Sequence, residues 1–192
     1  WETNYKQGGE GCFGARDAEL YSLALGKNLF GMRVHDVIQT VAYIGRRDDV
    51  NGLPITCVAE GLREGPVAMY AAALDEGIAS LITNGGLISY RYFLDNALYP
   101  PHEFFVPQIL RYADTPELLA CVAPRRTCVI NASGIVTDRN GNTWQEGHPL
   151  PHDVVNETFE WTSQVYGQWD VSDAFRILSG RASYVGLLSD AV

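Results

Sequence analysis

The sequence lacks a long apolar run and lacks an excess of positive charge. None of its uninterrupted apolar stretches approaches the ~20 residues that a membrane-spanning helix needs. Its 14 Lys and Arg residues are outnumbered by 23 Asp and Glu residues, which gives a formal net charge of −9 at pH 7. Such a charge disfavours contact with the phosphate backbone of a nucleic acid. The composition therefore predicts neither a membrane span nor a nucleic-acid partner.

Recognisable metal, redox and dinucleotide motifs are also absent. The four cysteines are Cys12, Cys57, Cys121 and Cys128. They form no C-x-x-C pair, which is the spacing of common zinc and redox sites. Cys57 and Cys128 lie inside apolar runs, where a free cysteine behaves as a small hydrophobic side chain. No G-x-G-x-x-G motif follows a predicted strand. We therefore predict no bound cofactor and no metal site.

Histidine is scarce as well. The four histidines are His35, His102, His148 and His152. We interpret the first two as polar residues of a helix and a loop. The last two flank a Pro-rich turn, where a metal would need a third ligand such as Asp153 or Glu157. Because the spacing matches no established ligand set, metal binding is the less favoured interpretation.

Apolar residues make up 46% of the chain and charged residues 19%, a balance typical of a domain with a buried core. Short apolar runs alternate with stretches of helical spacing. The predicted strands are 55–59, 78–86, 125–133 and, as a candidate, 173–180. The predicted helices are 19–30, 33–47, 66–75 and 152–167. This alternation indicates an α/β fold, with a mostly parallel sheet and helices on both faces. We assign residues 1–18 to a loop or arm and residues 19–192 to a single domain.

One predicted strand–turn–helix carries a distinctive turn, Gly61-Leu62-Arg63-Glu64-Gly65. It resembles the nucleophile turn of the α/β-hydrolase fold, whose pattern is G-x-S-x-G. The two glycines are present, and Arg63 stands where that pattern has serine. The resemblance implies that the backbone N–H of Glu64 occupies the position of the oxyanion donor.

The similarity extends over roughly residues 20–135. In the family, a helix that opens with Arg-x-x-Asp precedes the nucleophile strand, and Arg33 and Asp36 match the start of that helix. Asp49 and Val50 match the turn that leads from this helix into the nucleophile strand. The segment Ala123-Pro124-Arg125-Arg126 corresponds to an Ala-Pro-Arg-Pro motif before the penultimate strand. In this order the motifs resemble acetyl xylan esterase-like carbohydrate esterases. The resemblance implies an α/β-hydrolase-like domain, here without the N-terminal strands of that fold.

The chain departs from this family where its chemistry takes place. The family's serine corresponds to Arg63, and arginine is neither a nucleophile nor a base in proteins. The family's acid follows the strand that ends near Asn131, where Asp138 is the candidate acid if the loop is lengthened. The family's histidine follows the last strand, where this chain has Ser179-Gly180-Arg181 and no histidine after His152.

Two function hypotheses follow. The favoured one is a catalytically degenerate esterase-like domain retained for binding, scaffolding or assembly. An exposed sheet edge left by the absent strands favours a protein partner or a homo-oligomer. A small-molecule or carbohydrate ligand is a further expectation. The alternative is an active hydrolase of carbohydrate or small-molecule carboxylic esters, using Ser133 as a nonstandard nucleophile or a site shared with another chain.

Two further patterns have competing interpretations. Arg63 and Glu64 are equally compatible with a solvated turn and with a site that holds a carboxylate. The aromatic residues Trp161, Tyr166 and Trp169 fit a sugar-stacking surface, but packing in a core or an interface is the favoured interpretation.

Overall fold

A computed structural model describes residues 15–50, 52–96, 106–134, 136–137, 144–145 and 149–180. The helices are α1 (Ala15–Ala24), α2 (Leu29–Ile44), α3 (Glu64–Leu74), α4 (Arg91–Asp95), α5 (Thr115–Ala120), α6 (His152–Thr158) and α7 (Glu160–Gln168). The strands are β1 (Ile55–Glu60), β2 (Ile78–Asn84), β3 (Arg126–Ile130), β4 (Val136–Thr137), β5 (Trp144–Gln145) and β6 (Phe175–Leu178). Short 3-10 helices cover Ile109–Arg111 and Ser172–Ala174.

Four strands form one sheet in the order β1-β2-β3-β6, and every pairing in it is parallel. A row across the sheet joins Val58, Ile82, Cys128 and Arg176. The helices between these strands form the crossovers that parallel pairing requires. β4 and β5 make a separate antiparallel pair. The predicted α/β fold with a mostly parallel sheet is therefore confirmed.

Two predicted helices are each divided in two. The stretch predicted as one helix over 19–30 is interrupted at Gly26, which has a left-handed φ of 71°. Asn28 then caps α2, and its side chain accepts a hydrogen bond from the Gly31 N–H at 3.0 Å. The helix predicted over 152–167 is divided at the buried Phe159 into α6 and α7. α1 begins at Ala15, whereas residues 1–14 of the predicted arm lie outside the described residues.

The main core lies between one face of the sheet and helices α2, α3, α5 and α7. The predicted apolar stripe of α2 faces this core, because Val34 and Val41 are buried while Val37 and Ile38 pack against it. On the opposite face of the sheet, Ile82, Cys128 and Ile130 form a smaller buried cluster. No helix in the described part of the chain has the length and apolar character to cross a bilayer.

The two strand cysteines differ in burial. Cys128 is buried in the smaller cluster, as predicted, and burial raises the pKa of its thiol to about 11. Cys57 lies on the edge strand β1 and is half-buried, and burial raises its pKa as well. Both thiols are therefore poorly ionised near neutral pH, as expected of structural cysteines.

Candidate functional site

The carboxyl ends of the parallel strands bring several turns together. Backbone hydrogen bonds continue past the strands: the Gly61 N–H donates to the Asn84 carbonyl at 2.7 Å, and the Asn131 N–H donates to the Leu178 carbonyl at 3.0 Å. The turns after β1, β2, β3 and β6 therefore lie side by side. Ligands of open α/β sheets bind at this edge, which makes it the candidate site.

The glycines of the 61–65 turn allow two segments of backbone to approach closely. Gly61 has φ of 100°, a conformation that other residues rarely adopt. A Cβ added at Gly65 would lie 2.7 Å from the Cα of Gly86, in the turn after β2. Both glycines of the sequence pattern are thus required by the local geometry, at the start of α3.

Arg63 lies on ordinary helical backbone. Its φ of −84° and ψ of −42° are right-handed, and α3 begins at the next residue. Its side chain is exposed. In the G-x-S-x-G turn the nucleophile sits on a sharp, strained turn between strand and helix. Here the left-handed φ belongs to Gly61 instead, so the residue at the nucleophile position is not strained.

Glu64 folds back over the turn. Its Oε2 atom lies 2.9 Å from the position that a Cβ on Gly61 would occupy. An acidic residue in the first turn of a helix is favourable, because the helix N-terminus carries partial positive charge. The role of the Glu64 N–H as an oxyanion donor stays a prediction.

Asn131 directly follows β3, near the position expected for the family's acid. Its backbone is left-handed, with φ of 49°, which asparagine tolerates better than most residues. Its Nδ2 donates to Asn84 Oδ1 and to the Gly180 carbonyl, both at 3.0 Å. Its Oδ1 accepts from the Gly180 N–H at 2.8 Å. Asn131 thereby fixes the turn after β6, where the family has its histidine. Asp138 lies outside the described residues.

Ser133, the alternative nucleophile, holds two turns together. It is 1% exposed, and its Oγ donates to the Gly85 carbonyl at 2.8 Å. Its N–H donates to the Gly86 carbonyl at 2.9 Å. In this arrangement the hydroxyl is buried and hydrogen-bonded to the main chain.

The two described histidines lie on separate helices. His35 is exposed on α2, and His152 opens α6 with its Nδ1 atom 2.8 Å from Asn156 Nδ2. His102 and His148 are outside the described residues. Within the described ranges, no three His, Cys, Asp or Glu side chains converge as a metal site would require.

The three aromatic residues of the proposed sugar surface separate into two groups. Tyr166 is 0% exposed, and its hydroxyl lies 3.0 Å from the Arg125 carbonyl oxygen and 2.9 Å from Thr127 Oγ1. Burial raises the pKa of Tyr166 to about 12. Trp161 and Trp169 are 50% and 59% exposed. Tyr166 is therefore a core residue, whereas a binding role for the two tryptophans stays a prediction.

Arg125, from the Ala-Pro-Arg-Arg segment, donates hydrogen bonds to four main-chain carbonyls. The acceptors are Ala72 at 2.7 Å, Ile78 at 2.8 Å, Asp75 at 3.0 Å and Val122 at 3.2 Å. They surround the end of α3 and the turn after α5, where carbonyls lack helical partners. This motif residue thus holds α3 and β2 to the segment that enters β3.

Sequence reasoning missed Asp114, which joins two helix N-termini. Its carboxylate accepts from the N–H groups of Tyr90 at 2.6 Å, Thr115 at 2.7 Å and Arg91 at 3.0 Å. It also forms a capping box with Glu117 at the start of α5. The Asp-x-x-Glu spacing before an apolar run was the available signal. The contact with α4 could not be foreseen, because it joins distant parts of the chain.

No family model and no curated protein matches this sequence. Solved structures do resemble it. One is a protein assigned as an acetyl xylan esterase from Bacteroides fragilis NCTC 9343, with a TM-score of 0.62 and 15% identity over 85% of this chain and 39% of that one. Another is a glucuronoyl esterase from Solibacter usitatus, with a TM-score of 0.55 and 18% identity over 82% of this chain and 47% of that one.

The chain thus spans less than half the length of either esterase, since it covers 39% of one and 47% of the other. The matching region includes most of the strands and helices described above. At identities of 15% and 18% such similarity defines a shared fold and leaves activity open. The chain therefore has an α/β fold similar to that of these two esterase structures.

Proposed function

We propose that this chain is an esterase-like α/β-hydrolase domain that no longer catalyses ester hydrolysis and serves in binding or assembly. One observation carries the proposal: Arg63, at the nucleophile position, has an exposed side chain on unstrained helical backbone. The close packing of Gly61 and Gly65 is kept, whereas the reactive group and the strain that would present it are both lacking.

The chemistry of acyl transfer supports this proposal. A guanidinium stays protonated, so it neither attacks a carbonyl nor accepts a proton from a hydroxyl. A serine nucleophile needs a histidine base within hydrogen-bond reach. The described histidines lie on α2 and α6, and Asn131 binds the Gly180 backbone in the turn where the family has its histidine. Ser133 is buried and bonded to Gly85.

An assembly role is favoured by the edge of the sheet. Among the described strands, β1 has a neighbour on one side only. Its sequence, ITCVAE, contains no Pro or Lys, which are residues that commonly protect an edge from pairing. Val58, in the middle of β1, is 43% exposed. A strand from a second copy, or from another protein, would pair with the unpaired backbone N–H and C=O groups of this edge.

The catalytic half of the proposal is tested by hydrolysis of p-nitrophenyl acetate and by labelling with a fluorophosphonate. We expect neither turnover above the buffer rate nor labelling, for the native chain and for Arg63→Ala alike. Arg63→Ser is the informative variant: it restores the hydroxyl but no base, so it should also stay inactive. Enzymatic turnover by the native chain, lost in Ser133→Ala, would instead establish the alternative hydrolase.

The assembly half is tested by sedimentation velocity over a range of protein concentrations. We expect mass to increase with concentration and the increase to be lost in Val58→Lys, which puts a charge on the β1 edge. Leu74→Lys is the matched control, because Leu74 is 70% exposed but lies on α3. A monomer at every concentration would contradict self-association.

A further inference from the structure

Two tyrosines beside the 61–65 turn have buried hydroxyls that find no hydrogen-bond partner within the described part of the chain. They are Tyr70 on α3 and Tyr90 in the segment before α4. Tyr90 is 7% exposed. An unsatisfied buried hydroxyl is rare in folded proteins and calls for a specific explanation.

A count of hydrogens shows that the pair cannot satisfy itself. The two hydroxyls are close enough that each affects the pKa of the other. Each phenol carries one O–H, so a direct bond between them would use one donor and leave the second without an acceptor. Burial raises the pKa of Tyr70 to about 12 and raises that of Tyr90 further, so both groups stay protonated. At least one outside acceptor is therefore required.

The charge nearby determines which acceptor fits. Asp114 is the carboxylate that acts on both phenols. It already accepts from the N–H groups of Tyr90, Arg91 and Thr115. Its negative charge opposes a second anion beside it in a poorly solvated region. A neutral oxygen atom is the acceptor that this environment favours.

The surroundings are apolar and only partly buried. Leu87 and Phe93 are buried with Tyr90, whereas Leu62, Tyr70 and Ile109 are partly buried against this cluster. Leu62 belongs to the 61–65 turn, so the cluster lies directly beside the candidate site. Apolar walls with a few convergent polar groups are typical of small-molecule sites.

We propose that Tyr70 and Tyr90 form a two-donor site for the carbonyl oxygen of a small uncharged ligand, whose apolar part packs against Leu62, Leu87 and Phe93. The site is separate from the chemistry lost at Arg63, and it gives the domain a ligand to bind without turnover.

The test uses cyclohexanone, a neutral carbonyl compound that an esterase cannot hydrolyse. Binding is followed by NMR shifts of the Leu62, Leu87 and Tyr90 amides in the full chain. We expect saturable shifts and an affinity about fivefold weaker or more in Tyr90→Phe and in Tyr70→Phe. Tyr112→Phe is the matched control, because Tyr112 is 79% exposed, and it should bind as the native chain does. The outcome is independent of whether the chain hydrolyses esters.

Three results would overturn the proposal. One is the absence of saturable shifts, with a long-lived water detected at the two hydroxyls instead. Another is equal affinity in the native chain and in both Phe variants, each shown to be folded by its amide spectrum. The third is equally tight binding of cyclohexanecarboxylate, because an anion should be disfavoured by Asp114.

Discussion

Arg63 and Arg125 stand in two segments that resemble the same family, yet their surroundings differ. Arg125 donates to four main-chain carbonyls that join α3, β2 and the turn after α5. Arg63 directly precedes the first residue of α3, and its side chain is exposed. Arg125 agrees with the family pattern, whereas Arg63 replaces its serine.

This difference shows which of the residues that resemble the family have a structural role in the fold. Residues that hold the sheet together, such as Arg125 and Gly65, match the family and have dense contacts. The residue that would perform the chemistry does not match and has an exposed side chain. The predictions below test this difference between the residues that stabilise the fold and the residue at the nucleophile position, from the largest expected effect to the smallest.

Arg125→Met should cause the largest loss of stability. It removes four hydrogen bonds from a partly buried guanidinium to main-chain carbonyls, so we expect a loss of about 3 kcal/mol or more in the free energy of unfolding. Urea unfolding measures it. Arg126→Met is the control, since Arg126 is exposed, and should stay within about 0.5 kcal/mol. Similar losses in both variants would mean that the carbonyl contacts are unimportant.

Gly65→Ala should lower the free energy of unfolding by about 2 kcal/mol, because the new Cβ would lie 2.7 Å from the Gly86 Cα. Gly31→Ala provides the contrast. Its Cβ would meet nothing closer than 3.9 Å, and alanine is a better helix former by about 0.5–1 kcal/mol. Thermal unfolding should therefore shift down for the first variant and up for the second. Tolerance of Gly65→Ala would refute the close packing of the turn.

Alkaline pH should destabilise the core around Tyr166. Burial raises the pKa of Tyr70 and Tyr166 from 10.0 to about 12 in the folded chain. The stabilisation by the protonated phenols is complete below pH 10 and is lost as pH rises toward 12. Each of these two phenols should lower the free energy of unfolding by up to about 2 kcal/mol over that interval. In Tyr166→Phe the fall should be smaller, and an identical pH dependence in urea titrations would argue against a buried phenol.

Arg63→Ala should have the smallest effect. The side chain is exposed at the start of α3, so we expect the free energy of unfolding to change by no more than about 0.5 kcal/mol. The same urea titration compares it directly with Arg125→Met. A loss of stability as large as that of Arg125→Met would mean that Arg63 also stabilises the fold, and the comparison between the two arginines would then fail.

Much of the fold was predictable because its signals are local. The apolar runs at β1, β2 and β3 and the helical spacing of α2 appear in consecutive residues. The Gly61–Gly65 spacing located the turn that lies at the candidate site. The helix boundaries at Gly26 and Phe159 were missed. At each position a single residue interrupts a pattern that is otherwise helical.

The glycine turn of the candidate site was predictable from the sequence, but the contacts around it were not. The sequence located Arg63 and showed that no histidine follows His152. It gave no indication that Asn131 would bind Gly180, 49 residues away, or that Ser133 would donate to Gly85, 48 residues away. It also gave no sign that two tyrosine hydroxyls would be buried in one cluster with no acceptor among the described residues.

The sequence by itself determined the alternation of strands and helices, the glycine turn and the arginine that stands where the G-x-S-x-G pattern has serine, because each depends on neighbouring residues. Only the tertiary structure decided that Arg125 binds carbonyls, that Arg63 lies on unstrained backbone, and that Asn131 fixes the turn after β6. These facts depend on which distant segments the parallel sheet brings together at its edges. Local periodicity specifies that such a sheet forms, but the contacts at its ends are set by packing across the whole domain.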